Sequence, residues 1–491
     1  MASMKPGQLL QPGDASAVRR AKIVATLGPA TDGCEHALVA AGLDVARLNF
    51  SHGTHADHAR RCQAIRAASA ALERPVAVMQ DLQGPKIRVG SLVDGVPVQL
   101  ITGQPFAITT TEMLGTAERV SCTYDKLTHD VRQGDRILMD DGHIRLRVLT
   151  VEDDDVRTTV EEGGLLAEHK GINLPGVAVS TPALTEKDRD DLRFGVLDLD
   201  VDYVALSFIR KASEVREARS LVRDLGRIVP LIAKLEKGEA IEDLDAIIET
   251  ADGVMVARGD LGVELAPEKV PTLQKLIIAR ANARGIPVIT ATQMLESMIQ
   301  SESPTRAEAS DVANAVWDGS DAVMLSAETA AGKHPLIVVK MMDRIIREAE
   351  TDDTPARRSP SRERQPHGYA ASVTRAARVL AEGVHAAAIV GFTASGRTSQ
   401  LLSGERPRMP IYSFSGDARV CRRLALWWGV TPVQYPLAQQ GLERNIAAME
   451  AHLLERRGAS PGETVVIAGS HPFKKRMHTN FVKYQVLQDP S

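Results

Sequence analysis

Basic residues are not in excess. The 491-residue chain carries 59 lysines and arginines against 63 acidic residues, a net charge of −4, so nothing in the balance favours a nucleic-acid backbone as partner. Cysteine is scarce: Cys34, Cys62, Cys122 and Cys421 lie far apart, with no C-x-x-C pair and no His/Cys cluster at zinc spacing. That excludes a disulfide-stapled scaffold, argues against a structural zinc site and points to a reducing compartment. No apolar run reaches the roughly 18 residues of a membrane span, and the opening segment MASMKPGQLLQPGDASAVRR holds no apolar leader core. A soluble, cytoplasmic protein is expected. The usual phosphate grips are missing too: neither G-x-x-x-x-G-K-[ST] nor a G-x-G-x-x-G after a strand occurs, so a bound nucleotide has to be held some other way. There is no internal repeat. What remains is a chain long enough for about three domains, with room for a large enzyme.

Short runs rich in β-branched residues begin at Lys22, Asp44, Val76, Asp202, Val229, Gly253, Pro287 and Ala322. Their middles are apolar without strict alternation, as in parallel strands covered on both faces. Amphipathic stretches such as Glu214 to Leu225 and Val270 to Arg284 separate most of them, so strand and helix alternate. The intervals suit a (β/α)8 TIM barrel except the third, which is about 90 residues too long and must hold an inserted domain. That insertion, residues 85–182, contains VPVQL, PFAITT, DGHIRLRV and DVRTTV, short alternating stretches that predict a small antiparallel β-barrel able to act as a lid. The barrel is therefore expected over 1–84 and 183–350. Residues 351–366, TDDTPARRSPSRERQP, read as a linker. From 367 to 491 the runs AAIVGF, MPIYSF, VTPVQY, TVVIAG and FVKYQVL predict a C-terminal α/β domain.

Active sites of such barrels form at the C-terminal ends of the strands. There the sequence places Arg47, Asn49, Ser51 and His52, then Asp81, Lys86 and Arg88, then Ser207, Lys234, Glu236, Arg258, Asp260, Thr292, Ser326 and Glu328. Glu236 and Asp260, from adjacent strands, suit Mg2+, which takes a few carboxylates and leaves positions for water and substrate oxygens. Arg47 and Lys234 suit a phosphoryl group. Gly259 and Asp260, in RGDLG before a turn, offer backbone N–H groups to a substrate carboxylate. Any one of these residues alone reads more often as half of a structural ion pair; seven strands ending this way are harder to dismiss. His52 reads first as a packed or hydrogen-bonding histidine.

At these positions the chain resembles the pyruvate kinase family. KIVATLGPA, ARLNFSHG, DLQGPKIR, MDDG at Met139, KGINLPG at Lys170, LSFIR at Leu206, IAKLE at Ile232, MVARGDLG at Met255, ATQMLESM at Ala291, PTRAEASDVANAV at Pro304 and DAVMLSAET at Asp321 occur in order. The resemblance implies phosphoryl transfer from phosphoenolpyruvate to ADP, giving pyruvate and ATP, with Mg2+ (or Mn2+) on Glu236 and Asp260. It gives Lys234 the phosphoryl group in flight, Arg47 and Ser207 the phosphate, and Thr292 with Ser326 the proton path from enolate to pyruvate. Asn49, Ser51, Asp81 and the carbonyl of Leu82 match a monovalent-cation site. Asn49, His52, Arg88 and Lys170 match the nucleotide side. A homotetramer is implied. A silent relative kept to sense phospho-metabolites is the alternative, and a Mg2+-dependent barrel lyase or aldolase explains the acidic pair but not the insertion.

Two further features stand out. Thr393, Ser395, Gly396, Arg397 and Thr398 lie in TASGRT between a strand and a helix, where hydroxyls and N–H groups attract anions; the segment resembles the family's allosteric loop and suggests a phosphorylated effector, with Lys474, Lys475 and Arg476 adding charge nearby. Second, potassium-requiring members typically carry glutamate two places after the glycine of the DLQGPK segment, and this chain carries Lys86. A fixed ammonium replaces the monovalent cation in this reading, and K+ is not required.

Overall fold

Eight runs in which every residue, or all but one, is buried form the centre of the computed structural model, which describes residues 18–351, 368–437, 441–471 and 478–488. They are β1 (Lys22–Leu27), β2 (Val45–Asn49), β3 (Ala77–Asp81), β4 (Tyr203–Leu206), β5 (Leu231–Leu235), β6 (Gly253–Ala257), β7 (Val288–Ala291) and β8 (Ala322–Leu325). Each pairs in parallel with its chain neighbours, and β8 closes on β1. Strand side chains alternate faces. Val24, Val45, Met79, Tyr203, Ile232 and Met255 fill the barrel interior, while their neighbours, such as Ile23, Ala46 and Val78, pack outward against the helices. Two apolar faces explain why these runs show no polar alternation.

The barrel floor has its own polar logic. Asp44, Asp202, Asp252 and Asp321 each stand just before a strand and accept the backbone N–H of Ile23, Val78, Leu231 and Val288 at 2.8–2.9 Å. These buried donors at strand starts would otherwise lack partners. The aspartates are structural, and they leave the opposite end of the strands free for chemistry.

The insertion leaves after β3 and returns before the helix Glu186–Leu197, whose Thr185 and Asp188 form a capping box. It folds as a seven-stranded, mainly antiparallel sheet with a separate two-stranded pair. An antiparallel bridge between Val89 and Cys122 joins the two ends of the larger sheet, curling it around one apolar cluster that includes Ile108, Met139, Ile144 and Leu146.

The C-terminal domain has β9 (Ala388–Phe392), β10 (Ile411–Ser415), β11 (Val430–Gln434), β12 (Thr464–Gly469) and β13 (Phe481–Val486) in the order β11-β10-β9-β12-β13, with only β13 antiparallel. It is fastened to the barrel floor. The Lys22 ammonium donates to the Val430 carbonyl at 2.7 Å, Arg422 pairs with Asp202 at 2.8 Å, and Arg406 pairs with Asp321 at 2.9 Å. Arg20 and Arg406 both stack on the Trp428 ring. The linker reading of 351–366 lies outside the described residues from 352 onward, as do Lys474, Lys475 and Arg476. Among the described residues no helix is long and apolar enough to cross a membrane.

Candidate active site

The register that pairs Asn49 with Asp81 brings the ends of β2 and β3 together, and a buried charge chain runs across them. Arg47 Nε donates to Asp81 Oδ2 at 2.6 Å, and its Nη1 reaches Thr26 Oγ1 at 2.9 Å. The other Asp81 oxygen lies 3.2 Å from Lys234 Nζ on β5, which also touches Glu236 Oε1 at 3.0 Å and donates to Ser207 Oγ at 2.7 Å. Ser207 in turn donates to the Leu82 carbonyl at 2.7 Å. Lys234 is 9 % exposed and Asp81 and Glu236 are each 1 % exposed, so these charges depend on one another. Burial alone would push the Asp81 carboxyl up, but Arg47 and Lys234 hold it below the ordinary carboxylate range. Burial likewise opposes the Lys234 charge, and Asp81 and Glu236 outweigh it, keeping the ammonium protonated.

Glu236 behaves differently. Burial and the like charge of Asp260 raise its carboxyl against the pull of Lys234, while Phe208 N–H donates to Oε2 at 2.6 Å. Asp260 lies in the first turn of the helix Arg258–Leu265, directly after β6. Two carboxylates that repel each other beside an open mouth fit a hard divalent cation, which would relieve the repulsion. Among the described residues no third His, Cys, Asp or Glu completes a protein-only metal cage, and Mg2+ commonly takes its other ligands from substrate and water.

Across the mouth, Thr292 has φ +72° and Gln293 φ +54°, a left-handed conformation that is a genuine outlier for a β-branched residue. Its hydroxyl accepts the Gly259 N–H at 3.1 Å. The bend is braced by Arg258, whose guanidinium donates to the carbonyls of Ala291 and Thr292 at 3.2 and 2.7 Å and pairs with Asp311 at 2.7 Å. Ser326, at the end of β8, has its N–H held by Glu328 at 2.6 Å, and Glu328 also accepts from Leu295 N–H.

The remaining candidates lie nearer the lid. Asn49 Oδ1 accepts from Ser51 N–H at 3.2 Å. His52 is exposed, and partial burial of its ring together with the charges of Arg88, Lys86 and Arg47 lowers its pKa. Arg88 donates to the His169 carbonyl, and Lys170 pairs with Asp140 at 2.7 Å. Lys86 lies beside Gly171 and shares a small cavity with Asn173, Phe208, Arg210 and Lys237; among the described residues no carboxylate lies within 4.0 Å of its ammonium. The lid meets the barrel at Glu264, which accepts from Asn173 at 3.1 Å and from Lys237 at 2.5 Å.

Residues 18–339 match the pyruvate kinase barrel domain and residues 371–484 the pyruvate kinase alpha/beta domain. The chain belongs to the pyruvate kinase family. It is 48% identical over 458 residues to a pyruvate kinase of Mycobacterium intracellulare, covering 92% of this chain and 95% of that one, and 45% identical over 473 residues to that of Corynebacterium glutamicum, covering 96% and 98%. The crystal structure of a pyruvate kinase from Cryptosporidium parvum superposes with a TM-score of 0.89 at 37% identity, covering 96% of each chain. The chain is thus a phosphotransferase of this family. The brace formed by Arg258 and Asp311 and the Thr26 contact to Arg47 were not visible as site features in the sequence. Arg258 ends a strand and Asp311 lies in the PTRAEASD segment, but nothing in their spacing shows that they meet.

Proposed function

We propose that the enzyme transfers the phosphoryl group of phosphoenolpyruvate to ADP and protonates the resulting enolate to pyruvate. The observation that carries this reading is the buried Lys234 ammonium, held charged at the mouth by Asp81, Glu236 and Ser207 at 2.7–3.2 Å. Phosphoryl transfer has a loose transition state with charge spread over the equatorial oxygens, so a fixed cation with no need to reorganise is what the site must supply. Lys234 takes that role. Arg47, held by Asp81 and Thr26, grips the phosphate from the β2 side, and Ser207 adds a hydroxyl. Glu236 and Asp260 would hold Mg2+; bound there, it supplies Lewis-acid compensation for charge developing on the enolate oxygen. The Asp260 amide at the start of its helix faces the substrate carboxylate, whereas the Gly259 N–H, expected to share that role, is given to Thr292 Oγ1. Thr292, fixed in its strained bend with Ser326 nearby, stands on the proton path to the substrate methylene. His52, Arg88, Lys170 and Asn49 line the side from which the diphosphate enters, under the lid.

Potassium is not required in this reading. Asp81 already has both oxygens committed to Arg47 and Lys234, and Lys86 adds a third positive charge at the hinge of the lid where a glutamate would call for a cation. The Thr393–Thr398 loop holds a phosphorylated effector in a homotetramer, coupling that site to phosphoenolpyruvate affinity. A coupled assay for pyruvate, run with and without ADP, tests the central claim. Pyruvate formed only with ADP supports it; none with ADP indicates a silent sensor, and release independent of ADP indicates a lyase.

A further inference from the structure

The loop that follows β7 is clamped by side chains from three neighbouring elements. Arg258, directly after β6, gives Nε to the Ala291 carbonyl at 3.2 Å and Nη2 to the Thr292 carbonyl at 2.7 Å. Glu328 accepts the Leu295 N–H at 3.3 Å, and Glu308 accepts the Ser297 N–H and hydroxyl at 2.7 and 2.5 Å. Only the first clamp acts on Thr292 itself, and the next residue completes it, because the Gly259 N–H donates to Thr292 Oγ1 at 3.1 Å. Consecutive residues thus hold both the carbonyl and the hydroxyl. A hydroxyl has one proton to give and two lone pairs to receive with; Thr292 Oγ1 receives from Gly259 and donates to no group among the described residues. Its hydrogen is left for the mouth.

Behind the clamp stands Asp311, on the helix Arg306–Trp317. Its two oxygens meet Arg258 Nη1 and Nη2, each at 2.7 Å, a forked pair that fixes the plane of the guanidinium. The other partner of Nη1 is Gln274 Oε1, at 3.4 Å. Among the described residues, neither Asp311 nor Arg258 makes a hydrogen bond or ion pair with Arg47, Lys234 or Glu236. We propose that Asp311, acting through Arg258, is a positioning residue for protonation of the enolate and not for transfer of the phosphoryl group. The inference rests on Thr292 lying on the proton path. In the step it serves, one proton passes from water through Thr292 Oγ1 to the methylene carbon; the carbon–carbon π pair forms the new C–H bond while a pair on the enolate oxygen closes the carbonyl. A threonine at φ +72° is held against its own preference, so a loosened guanidinium lets the residue relax and the hydroxyl leave its line. Misplacement by about 1 Å can cost about 10²-fold in rate.

The test uses the full-length enzyme with Mg2+ and reads the two half-reactions separately: ATP formed in a single turnover, by rapid quench with enzyme in excess, and exchange of pyruvate methyl protons with solvent, by NMR. Asp311→Asn, similar in shape but uncharged, should lower the exchange rate about tenfold or more, the scale of a lost charged hydrogen bond. Single-turnover ATP formation and the KM for phosphoenolpyruvate should stay within about threefold of the native values. Arg258→Lys, which keeps the charge but cannot fork, should show the same split, and it decides the matter if Asp311→Asn fails to melt cooperatively. Exchange at the native rate in either folded variant, or equal loss of both half-reactions, would overturn the assignment while leaving Thr292 on its path. Exchange at the native rate in Thr292→Ala would overturn both.

Discussion

Replacing Lys234 with methionine removes one charge and keeps an unbranched stem of similar reach. The ammonium sits at 3.0 Å from Glu236 and 3.2 Å from Asp81; at an effective dielectric near 20, each contact is worth roughly 5 kcal/mol gross. Folding recovers part of this loss, because Asp81 keeps Arg47 and Glu236 keeps the Phe208 N–H. The transition state has no such substitute, since a phosphoryl group about 4 Å from the missing charge loses roughly 4 kcal/mol at the same dielectric. Arg47 offsets some of that, so kcat is expected to fall about 10²- to 10³-fold, the scale for deleting a charge-stabilising donor. The variant should be assayed at saturating phosphoenolpyruvate and ADP, with cooperative melting as evidence that it folds. Lys234→Arg, which keeps the charge but spreads it over a fork, should retain more activity than the methionine variant. A folded Lys234→Met enzyme with kcat within about threefold of the native value would refute the role.

Thr292→Ala should slow both turnover and exchange of the pyruvate methyl protons with solvent by roughly 10²-fold; exchange at the native rate, measured by NMR, removes Thr292 from the proton path. In a buffer whose only monovalent cation is tetramethylammonium, the native enzyme should turn over at its full rate, whereas Lys86→Glu should lose activity that potassium partly restores; a many-fold potassium activation of the native enzyme would contradict the replacement. Burial lowers the Lys22 ammonium from about 10.5 to about 8. The folded chain therefore sheds this proton before the unfolded one, so the penalty is fully present below about pH 8 and is relieved as pH rises towards 10.5. Denaturant unfolding should accordingly show the native enzyme gaining up to ~3 kcal/mol over Lys22→Met across that window, and parallel pH curves for the two would show that Lys22 is not the group responsible.

The barrel was legible because its signal is local and repeated: eight apolar runs, and one interval too long for a helix alone. Boundaries moved only slightly. The helix read as Glu214 to Leu225 spans Ala212–Asp224, and the run beginning at Val229 becomes a strand at Leu231. The residues of the mouth were legible for the same reason, since the barrel itself fixes where strand ends go. What joins them was not. Asp81 matched a cation site in sequence, and the structure shows it between Arg47 and Lys234, contacts that span 34 and 153 positions in the chain. The positive φ of Thr292 leaves no mark in composition, because threonine is an unfavourable choice there and only the Arg258 brace makes it tolerable.

The aspartates at the strand starts and the charged groups at the strand ends are separated by the length of the strands themselves, about 16 Å for five residues. The barrel wall is therefore a spacer with unlike jobs at its two rims. One rim is tightly constrained, because an altered charge there disturbs Lys234 and its partners. The other can exchange one adhesive surface for another so long as the aspartate ring survives. Sequence drift in the C-terminal domain can then proceed without touching the charged mouth, which gives this architecture two clocks of divergence within one chain.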